Sequence, residues 1–573
     1  MSVLDRRDVD FLLHTWLKAG ERIDRETADA ILDLSEKLAA ERFLTHFKRN
    51  DVEEPWLDDG QVRVCGAIGE ALAQYADLGL FSAGFPEEQG GLGLPYLLCS
   101  ASFAFFAAAN VATAAYPMLT VANARLIATF GSEAQFEAFA RPEIEGRWFG
   151  TMCLSEPQAG SSLADISTRA TPDGEDELGA RYRLAGNKMW ISGGDQDVSE
   201  NIVHLVLAKV PDASGALPEG TAGISLFIVP KILPDGSRND VAVAGLNHKM
   251  GYRGTANCLL NFGERGGAVG WIVGEPGQGL KQMFLMMNEA RIGVGLGAAA
   301  LGYRGYRLAV AYARERLQGR PHGRRSGAPT PIIEHPDVRR MLLQQKAYVE
   351  GALALCLYCA RLVDTAPDNA DDAALLGLLT PIAKTWPSEH GLLANDIAIQ
   401  IHGGYGYTRD FDVEQLWRDN RLNPIHEGTT GIQGLDLLGR KILQDGSGLA
   451  VLERSIERTA RAALAVAGLQ DHAGALTHAW SAVVDTIEGL RGRGGQAALA
   501  NATPFLWAFG HVVVAWLWLD QATAVPPGPD DFAEGKRRAC RYFFECELPK
   551  VDALLAFVAS GSDVASDAPV SIF

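Results

Sequence analysis

The sequence predicts an α+β protein in four consecutive parts, and three changes of texture carry that prediction. Residues 1–149 repeat apolar residues at spacings of three and four, as in DRETADAILDLSEKLAAERFLTHF, and read as an N-terminal α-helical domain. From 150 to 267 the pattern turns into short alternating or apolar runs, RYRLAGNKMWIS, NIVHLVLAKV, GISLFIVPK and TANCLLNFG. Turn-rich segments such as TPDGEDELG and PDASGALPEG separate them, and no crossover helix fits between them, so this central β domain is expected to be antiparallel. Helical periodicity returns in GLKQMFLMMNEARIGVGLGAAALGYRGYRLAVAYARERL and fills residues 268–446.

Within the first part, AGFPEEQGGLGLP breaks the helical pattern with Gly and Pro. Within the third, a basic loop, GRPHGRRSGAPTP, interrupts it again. Gly446 and Ser447 mark the last boundary, and residues 447–573 read as an α-helical C-terminal extension of about four helices. They include GLAVLERSIERTARAALAVAGL, THAWSAVVDTIEGLRGR and RACRYFFECELPKVDALLAFV. The most apolar run, TPFLWAFGHVVVAWLWL from Thr503 to Leu519, carries His511 and is shorter than the roughly 20 residues of a spanning helix, so it is expected to be a core helix.

The 573 residues are 47% hydrophobic and 21% charged, enough to bury a large core in several domains. A formal charge of −18 disfavours partners that need a Lys/Arg excess, namely nucleic acid and anionic membrane. Eight cysteines without regular pairing point to a reducing compartment, and MSVLDRRDVDFLLHTWL carries acids among its bases and no small-residue cleavage site, so the cytoplasm is the expected location. The one CxxC, Cys356 and Cys359, lies in an apolar helical pattern and reads as buried thiols.

Four motifs bear on chemistry. GVGLGA, Gly293 to Ala298, has the letters of a dinucleotide fingerprint, but it lies inside a helix with no strand before it and reads as small residues for close helix packing. MCLSEPQAGSSLADISTRA joins an apolar run to a turn able to aim backbone N–H groups and hydroxyls at a polar ligand. In KMWISGG, Trp190 could lie against a flat ring and Ser192 could reach its edge. In NPIHEGTTGIQGLDLLGRK, Glu427 stands ahead of a helical pattern, where a carboxylate is commonly a cap or a charge on the helix dipole.

These pieces occur in one order, together with HKMGYRGTANCLLNF, GEPGQGLKQMF, YARERLQGR, AIQIHGGYGYTRDF and VEQLWRDNRLNPIHEGTTGIQ, and in that order the chain resembles the acyl-CoA dehydrogenases from about Asp5 to Lys441. The resemblance implies an N-terminal helical domain, a central β domain, a C-terminal four-helix bundle and FAD. The extension resembles that of longer members, including the 3-methylmercaptopropionyl-CoA dehydrogenases. By position the implied flavin contacts are Leu154, Ser155, Ser161, Trp190, Ser192 and Thr429. Arg316 and Gln318, with Gln400, Gly403 and Gly404, match the group that reaches the cofactor diphosphate across a dimer. Ser161, Arg291, Glu427 and Gly428 fall on the acyl-CoA site.

The resemblance implies that Glu427 is the base, removing the α-proton of a thioester while the β-hydrogen leaves as hydride to flavin N5. Its own N–H and a flavin ribityl hydroxyl would hold the thioester oxygen. A minority of the family carries its base directly before an arginine matching Arg291, where this chain has Ala290, and Glu289 is one helical step away. The chain also departs from the common pattern: Gly319 follows Gln318 directly, Gly431 stands where many members have Gln, and His426 replaces a tyrosine.

An acyl-CoA substrate, electron-transfer flavoprotein as electron acceptor, and a homodimer are the partners so implied. The extension is expected to cover the bundle surface that shorter members use as tetramers. Two alternatives share the fold. An acyl-CoA oxidase differs in oxygen access, and a DNA-associated alkylation-response flavoprotein needs a basic C-terminal region. Residues 450–573 hold 10 Lys/Arg against 14 Asp/Glu, a balance of 10 − 14 = −4, and the basic cluster KRRACR, Lys536 to Arg541, is expected as a solvated helix face. Acyl-chain preference is not legible, although Tyr116 to Val121 is the expected neighbourhood of the pocket wall.

Overall fold

The computed structural model describes residues 2–320, 323–324 and 326–573, so part of the basic loop at 319–331 lies outside the described residues. The chain forms two compact units, one from Ala30–Pro95 and Phe105–Ala290, the other from Met1–Asp29, Tyr96–Ala104 and Arg291–Phe573.

The first unit is organised around an eight-stranded sheet. A small antiparallel hairpin precedes it, β1 (Trp56–Asp58) and β2 (Gln61–Arg63), which the helical reading of residues 1–149 left out. The signal was the dipeptide Asp59-Gly60, whose φ angles of 46° and 76° give the turn a tight hairpin needs. The sheet comprises β3 (Trp148–Cys153), β4 (Arg169–Asp176), β5 (Gly179–Ser192), β6 (Asn201–Lys209), β7 (Ile224–Pro230), β8 (Val241–Leu246), β9 (Asn257–Phe262) and β10 (Ala268–Ile272). Its pairings are antiparallel except where β6 meets β3 and, at one residue pair, β4.

The long strand β5 divides its partners. Its first half pairs with β4 and β10 and its second half with β9. Because β10 also pairs with β7, strands β10, β7, β6, β4 and β5 close a circuit, and β9 and β8 continue from the far half of β5. Every residue of β6 and β7 is buried, which explains why they read as unbroken apolar runs. Val203, Leu205 and Leu207 of β6 pack with Leu126, Ile127 and Phe139 in one core, each side chain contributing roughly 1.5–3 kcal/mol.

That core holds a titratable group with no counter-charge. Glu143 is fully buried, and neither of its carboxyl oxygens has a hydrogen-bond partner among the described residues. Burial pushes its pKa well above the ordinary value. A carboxyl raised in the folded state stabilises the fold below the unfolded pKa and loses that contribution as pH rises through the folded one. Glu143→Gln is therefore expected to flatten the loss of stability as pH rises above the ordinary carboxylate range. Denaturant unfolding at several pH values measures this, and parallel curves for the two proteins would show that Glu143 is not the titrating group.

The second unit is helical. Its bundle uses the Gly279–Glu315 helix from Arg291 onward, Pro336–Thr365 and Ala370–His402. The glycines of GVGLGA serve their packing: a Cβ on Gly295 would lie 1.8 Å from the carbonyl oxygen of Ala383. Cys356 and Cys359 are buried thiols on the Pro336–Thr365 helix, as their apolar surroundings suggested.

The extension contains Ser447–Leu464, Gln470–Arg491, Ala502–Ala524, Asp531–Tyr542 and Lys550–Ser560, with a short Gly495–Leu499 turn of helix. That is one more long helix than the four expected, because RACRYFFECELPKVDALLAFV breaks ahead of Pro549, which lacks the N–H to continue a helix. The apolar run at 503–519 extends into a 23-residue helix, Ala502–Ala524, longer than the run itself. This helix and Tyr96–Phe130 are both long and apolar enough to cross a membrane, and most of each is buried in the structure. Trp516 donates to Thr459 Oγ1 (3.0 Å) and Trp518 to the Ala347 carbonyl (3.1 Å), so the surroundings of Ala502–Ala524 are protein.

Lys536 corrects the reading of KRRACR as a wholly solvated face. It is 1% exposed and paired with Asp8 and Glu350, whereas Arg538 and Arg541 do lie at the surface in ion pairs with Glu534 and Glu545.

Candidate functional site

Glu427 does not cap the helix that follows it. Thr429 is the N-cap of Thr430–Leu435, its hydroxyl accepting from the Ile432 N–H, and Glu427 stands two residues earlier in a left-handed conformation (φ 53°). Such a φ is unfavourable for a side chain with a Cβ, so the surroundings must hold it. Two buried side chains do so. Gln433 Nε2 donates to the Glu427 carbonyl (2.9 Å), and Lys384 Nζ donates to the Gly428 carbonyl (2.7 Å). Gly428 has φ 90°, where any residue with a Cβ is strained, and a Cβ there would lie 2.6 Å from the Gln433 amide nitrogen.

The Glu427 carboxyl keeps some accessible surface, but the packing around it removes enough solvent to raise its pKa, against the opposing pull of Arg291 and Lys384. Arg291 is 4% exposed and bonded through Nη1 to Asp436 Oδ2 (2.9 Å); Asp436 also pairs with Arg440. Glu389 accepts from the Thr430 hydroxyl (2.9 Å), tying the next residue of the motif to the same helix as Lys384. His426 Nε2 donates to Asn423 Oδ1 (3.0 Å), and burial followed by the Lys384 charge pushes its pKa down to about 3, leaving it neutral. Glu289, the other carboxylate considered, is in an ion pair with Arg125 Nη1 (3.0 Å) in the sheet-containing unit.

In that unit the segment carrying Leu154 and Ser155 is fastened to β5. Lys188 Nζ donates to the Leu154 carbonyl (3.0 Å), and the Met189 N–H donates to the Ser155 carbonyl (2.9 Å). Lys188 is fully buried and paired with Glu156 (3.0 Å). Glu156 also accepts from the N–H and hydroxyl groups of both Ser167 and Thr168. Burial opposes its ionisation, but Lys188 and these donors prevail and hold it down to about 2. Glu156 and Lys188 were missed as site-builders, although a glutamate and a lysine embedded in SEPQAGSS and GNKMWISGG were visible.

The strand pairing shifts between Lys188 and Ile191, and within that irregularity Trp190 has φ 66° and is 60% exposed. An indole turned out of a sheet by a bulge presents a flat apolar face. Ser192 lies on the same strand and accepts from Asn257 Nδ2 (3.3 Å), while Ser161 is exposed in the preceding turn. Tyr116, expected near a pocket wall, is buried. Its hydroxyl accepts from the Ala256 N–H (3.1 Å) and donates to the Gly254 carbonyl (3.3 Å).

The helical unit carries a cavity of about 550 Å³ lined by Arg316, Gln318, Gly403, Gly404, Tyr312 and Tyr405, among others. It gathers four of the residues expected at a diphosphate; Gln400 and Thr429 are exposed outside this lining. The Arg316 guanidinium lies 5.6 Å from the Tyr405 ring centre. The Gln318 backbone is fixed by Thr330 and by His335, whose Nε2 meets the Gln318 carbonyl at 2.7 Å. A permanent cation, an amide and bare glycine backbone suit an anion with several oxygens.

Comparison with known proteins gives the family. The N-terminal, middle and C-terminal domain families of acyl-CoA dehydrogenases match residues 26–147, 151–264 and 277–443, and the acetyl-CoA dehydrogenase C-terminal-like family matches 452–569. The 3-methylmercaptopropionyl-CoA dehydrogenase of Ruegeria pomeroyi is 35% identical over 87% of this chain and 86% of its own. The broad-specificity linear acyl-CoA dehydrogenase FadE5 of Mycobacterium tuberculosis is 33% identical over 92% and 91%. An acyl-CoA dehydrogenase from Bacillus anthracis, solved with FAD, superposes with a TM-score of 0.76 at 20% identity, over 98% of this chain and 93% of that one. With its three core domains and its extension all matched, and with relatives at this identity over nearly its whole length, the chain belongs to the acyl-CoA dehydrogenase family.

Proposed function

We propose that this FAD-dependent dehydrogenase acts on an unbranched acyl-CoA thioester, with Glu427 taking the α-proton. The observation that carries the reading is the desolvated Glu427 carboxyl, on a strained turn, with Arg291 and Lys384 for neighbours. A thioester α-proton is too weakly acidic for a solvated carboxylate, and removal of water raises the basicity of this one. FAD, when bound, accepts the β-hydride at N5. Arg291 and Gly428, the neighbours of Glu427 in its own unit, are the proposed acyl-CoA contacts there, and Ser161 is proposed as a further substrate contact by its place in the SEPQAGSS motif.

The residues present fit the cofactor. Trp190 offers an exposed indole face beside Ser192, with Leu154 and Ser155 pinned to the same strand. Arg316, Gln318, Gly403 and Gly404 share a cavity whose charge suits a diphosphate, and Gln400 and Thr429 would add donors outside it. Glu289 is a poor rival base because Arg125 already claims it. A DNA-associated role is disfavoured by the buried state of Lys536, which removes one cation from the basic cluster.

Unbranched chains are favoured because sulfur and methylene are close in size. A methylthiopropionyl group and a linear acyl group, named for the two relatives above, therefore ask for one pocket shape. Straight-chain CoA thioesters are expected to turn over at least about tenfold faster than α- or β-branched isomers. A panel assayed with a ferrocenium acceptor measures this. Electron-transfer flavoprotein is the proposed physiological acceptor and the cytoplasm the proposed location. Preferential turnover of branched thioesters would reject the substrate class, and stoichiometric hydrogen peroxide would point to an oxidase.

A homodimer completes the reading, since Arg316 and its cavity would serve the flavin of a second copy. Light scattering at micromolar concentration is expected to give a mass near two chains of 61.5 kDa. A mass near four chains would reject the idea that the extension occupies a tetramer surface.

A further inference from the structure

We infer that Lys384 is a positioning residue for the base: it clamps the turn that carries Glu427 and supplies a positive charge facing that carboxyl. This rests on the reading of Glu427 as the base. Lys384 sits in the apolar Ala370–His402 helix and is 0% exposed, an expensive place for an ammonium group. Its ammonium donates to the Gly428 carbonyl at 2.7 Å, 44 residues away in sequence. A bond there restrains both positive-φ residues of the turn, Glu427 and Gly428.

The charges around Lys384 are of both signs. Glu427 and Glu389 hold its proton on, while burial and Arg291 work against it, and the balance leaves its pKa lowered to about 8. Arg291 spends one side of its guanidinium on Asp436, and Asp436 in turn meets Arg440. Glu389 is raised by burial and engaged by Thr430, and His426 is neutral. Lys384 is thus the cation facing Glu427 that no carboxylate in direct contact neutralises among the described ion pairs. Withdrawing it leaves desolvation to act on Glu427 with less opposition, so the base ionises at higher pH.

The test compares the FAD-loaded wild type with Lys384→Met, Lys384→Gln and Lys384→Arg. Methionine removes charge and donor, glutamine removes the charge and keeps a donor, and arginine keeps both. The rising limb of the kcat–pH profile is expected to move to higher pH in Lys384→Met and Lys384→Gln, and turnover near pH 7 to fall on the order of tenfold. Lys384→Arg should return the limb toward the wild-type position. KM and flavin content of the loaded enzymes should change little.

A second readout does not depend on turnover. Binding of a non-oxidisable acyl-CoA thioether, followed by calorimetry in two buffers of different ionisation enthalpy, counts protons taken up, and its pH dependence should move with the kinetic limb. If both profiles stay at the wild-type pH in Lys384→Met and Lys384→Gln, the proposal is overturned. Loss of turnover in Glu427→Gln alongside that result would leave the base assignment intact. Full turnover in Glu427→Gln would instead remove the reading on which the proposal rests.

Discussion

Glu427→Gln is expected to retain FAD and to lose turnover on the order of 10²–10⁴-fold, equivalent to about 3–5 kcal/mol of transition-state stabilisation. The amide preserves size and the bond from Gln433 to the backbone carbonyl of this position, but it cannot accept the α-proton. Because burial raises the Glu427 pKa, the wild-type rate should climb as pH rises through that pKa, and the variant should lack this limb. The same shift has a cost in stability: a carboxyl raised in the fold contributes below the unfolded pKa and loses that contribution as pH rises. Glu289→Gln should be much milder in rate. It breaks a partly buried pair with Arg125, so its effect belongs mainly in stability. Steady-state kinetics on flavin-matched preparations decide this, and a larger rate loss in Glu289→Gln than in Glu427→Gln would reverse the assignment.

The candidate residues that could be read from the sequence are those in which spacing and chemistry coincide. Glu427 stood in a short motif, and Trp190 and Ser192 alternated along a recognisable strand. The side chains that hold them come from far away in the chain. Lys384 reaches Gly428 across 44 residues, Lys188 reaches Glu156 across 32, and no periodicity links such pairs. One signal was available: a lone lysine inside the apolar pattern TPIAKTWP must find a buried acceptor, because an unpaired ammonium cannot remain there.

The fold shows the same division. Buried runs such as NIVHLVLAKV gave β6 directly, since both of its faces are covered. The double pairing of β5 was not legible, because a single alternating run does not say that its two halves meet different partners. The hairpin at 56–63 was legible through Asp59-Gly60 but was overshadowed by the helices around it. The proline at 549 was likewise enough to split the last apolar segment into two helices.

Lys536→Met is expected to destabilise the enzyme by about 3–5 kcal/mol, since it would strip the cation from a buried network and leave its carboxylates facing one another. Asp8 and Glu350, both at most 1% exposed, meet the Lys536 ammonium, Glu350 at 3.0 Å. Gln521 accepts from the same ammonium at 3.3 Å, and the Trp518 and Phe11 rings lie 5.3 Å from it. Lys346 pairs with the other oxygen of Glu350, and the Tyr303 hydroxyl donates to Asp8 (3.1 Å). The network thus joins residue 8, the bundle helices and the extension within one unit. Burial, then the nearby Glu350 charge, pushes Asp8 up to about 6 despite Lys536. Its contribution is therefore present below the unfolded carboxylate pKa and fades as pH rises through 6. Without the lysine the carboxyls should protonate at still higher pH, so the deficit of Lys536→Met should shrink on going from pH 8 to pH 5, where protonation removes the unpaired charge. Arg538→Met, on the exposed face of the same helix, should stay within about 0.5 kcal/mol of wild type. Guanidinium unfolding of the three proteins at both pH values tests this, and equal, pH-independent stabilities for Lys536→Met and Arg538→Met would mean that the buried network does not hold the extension in place.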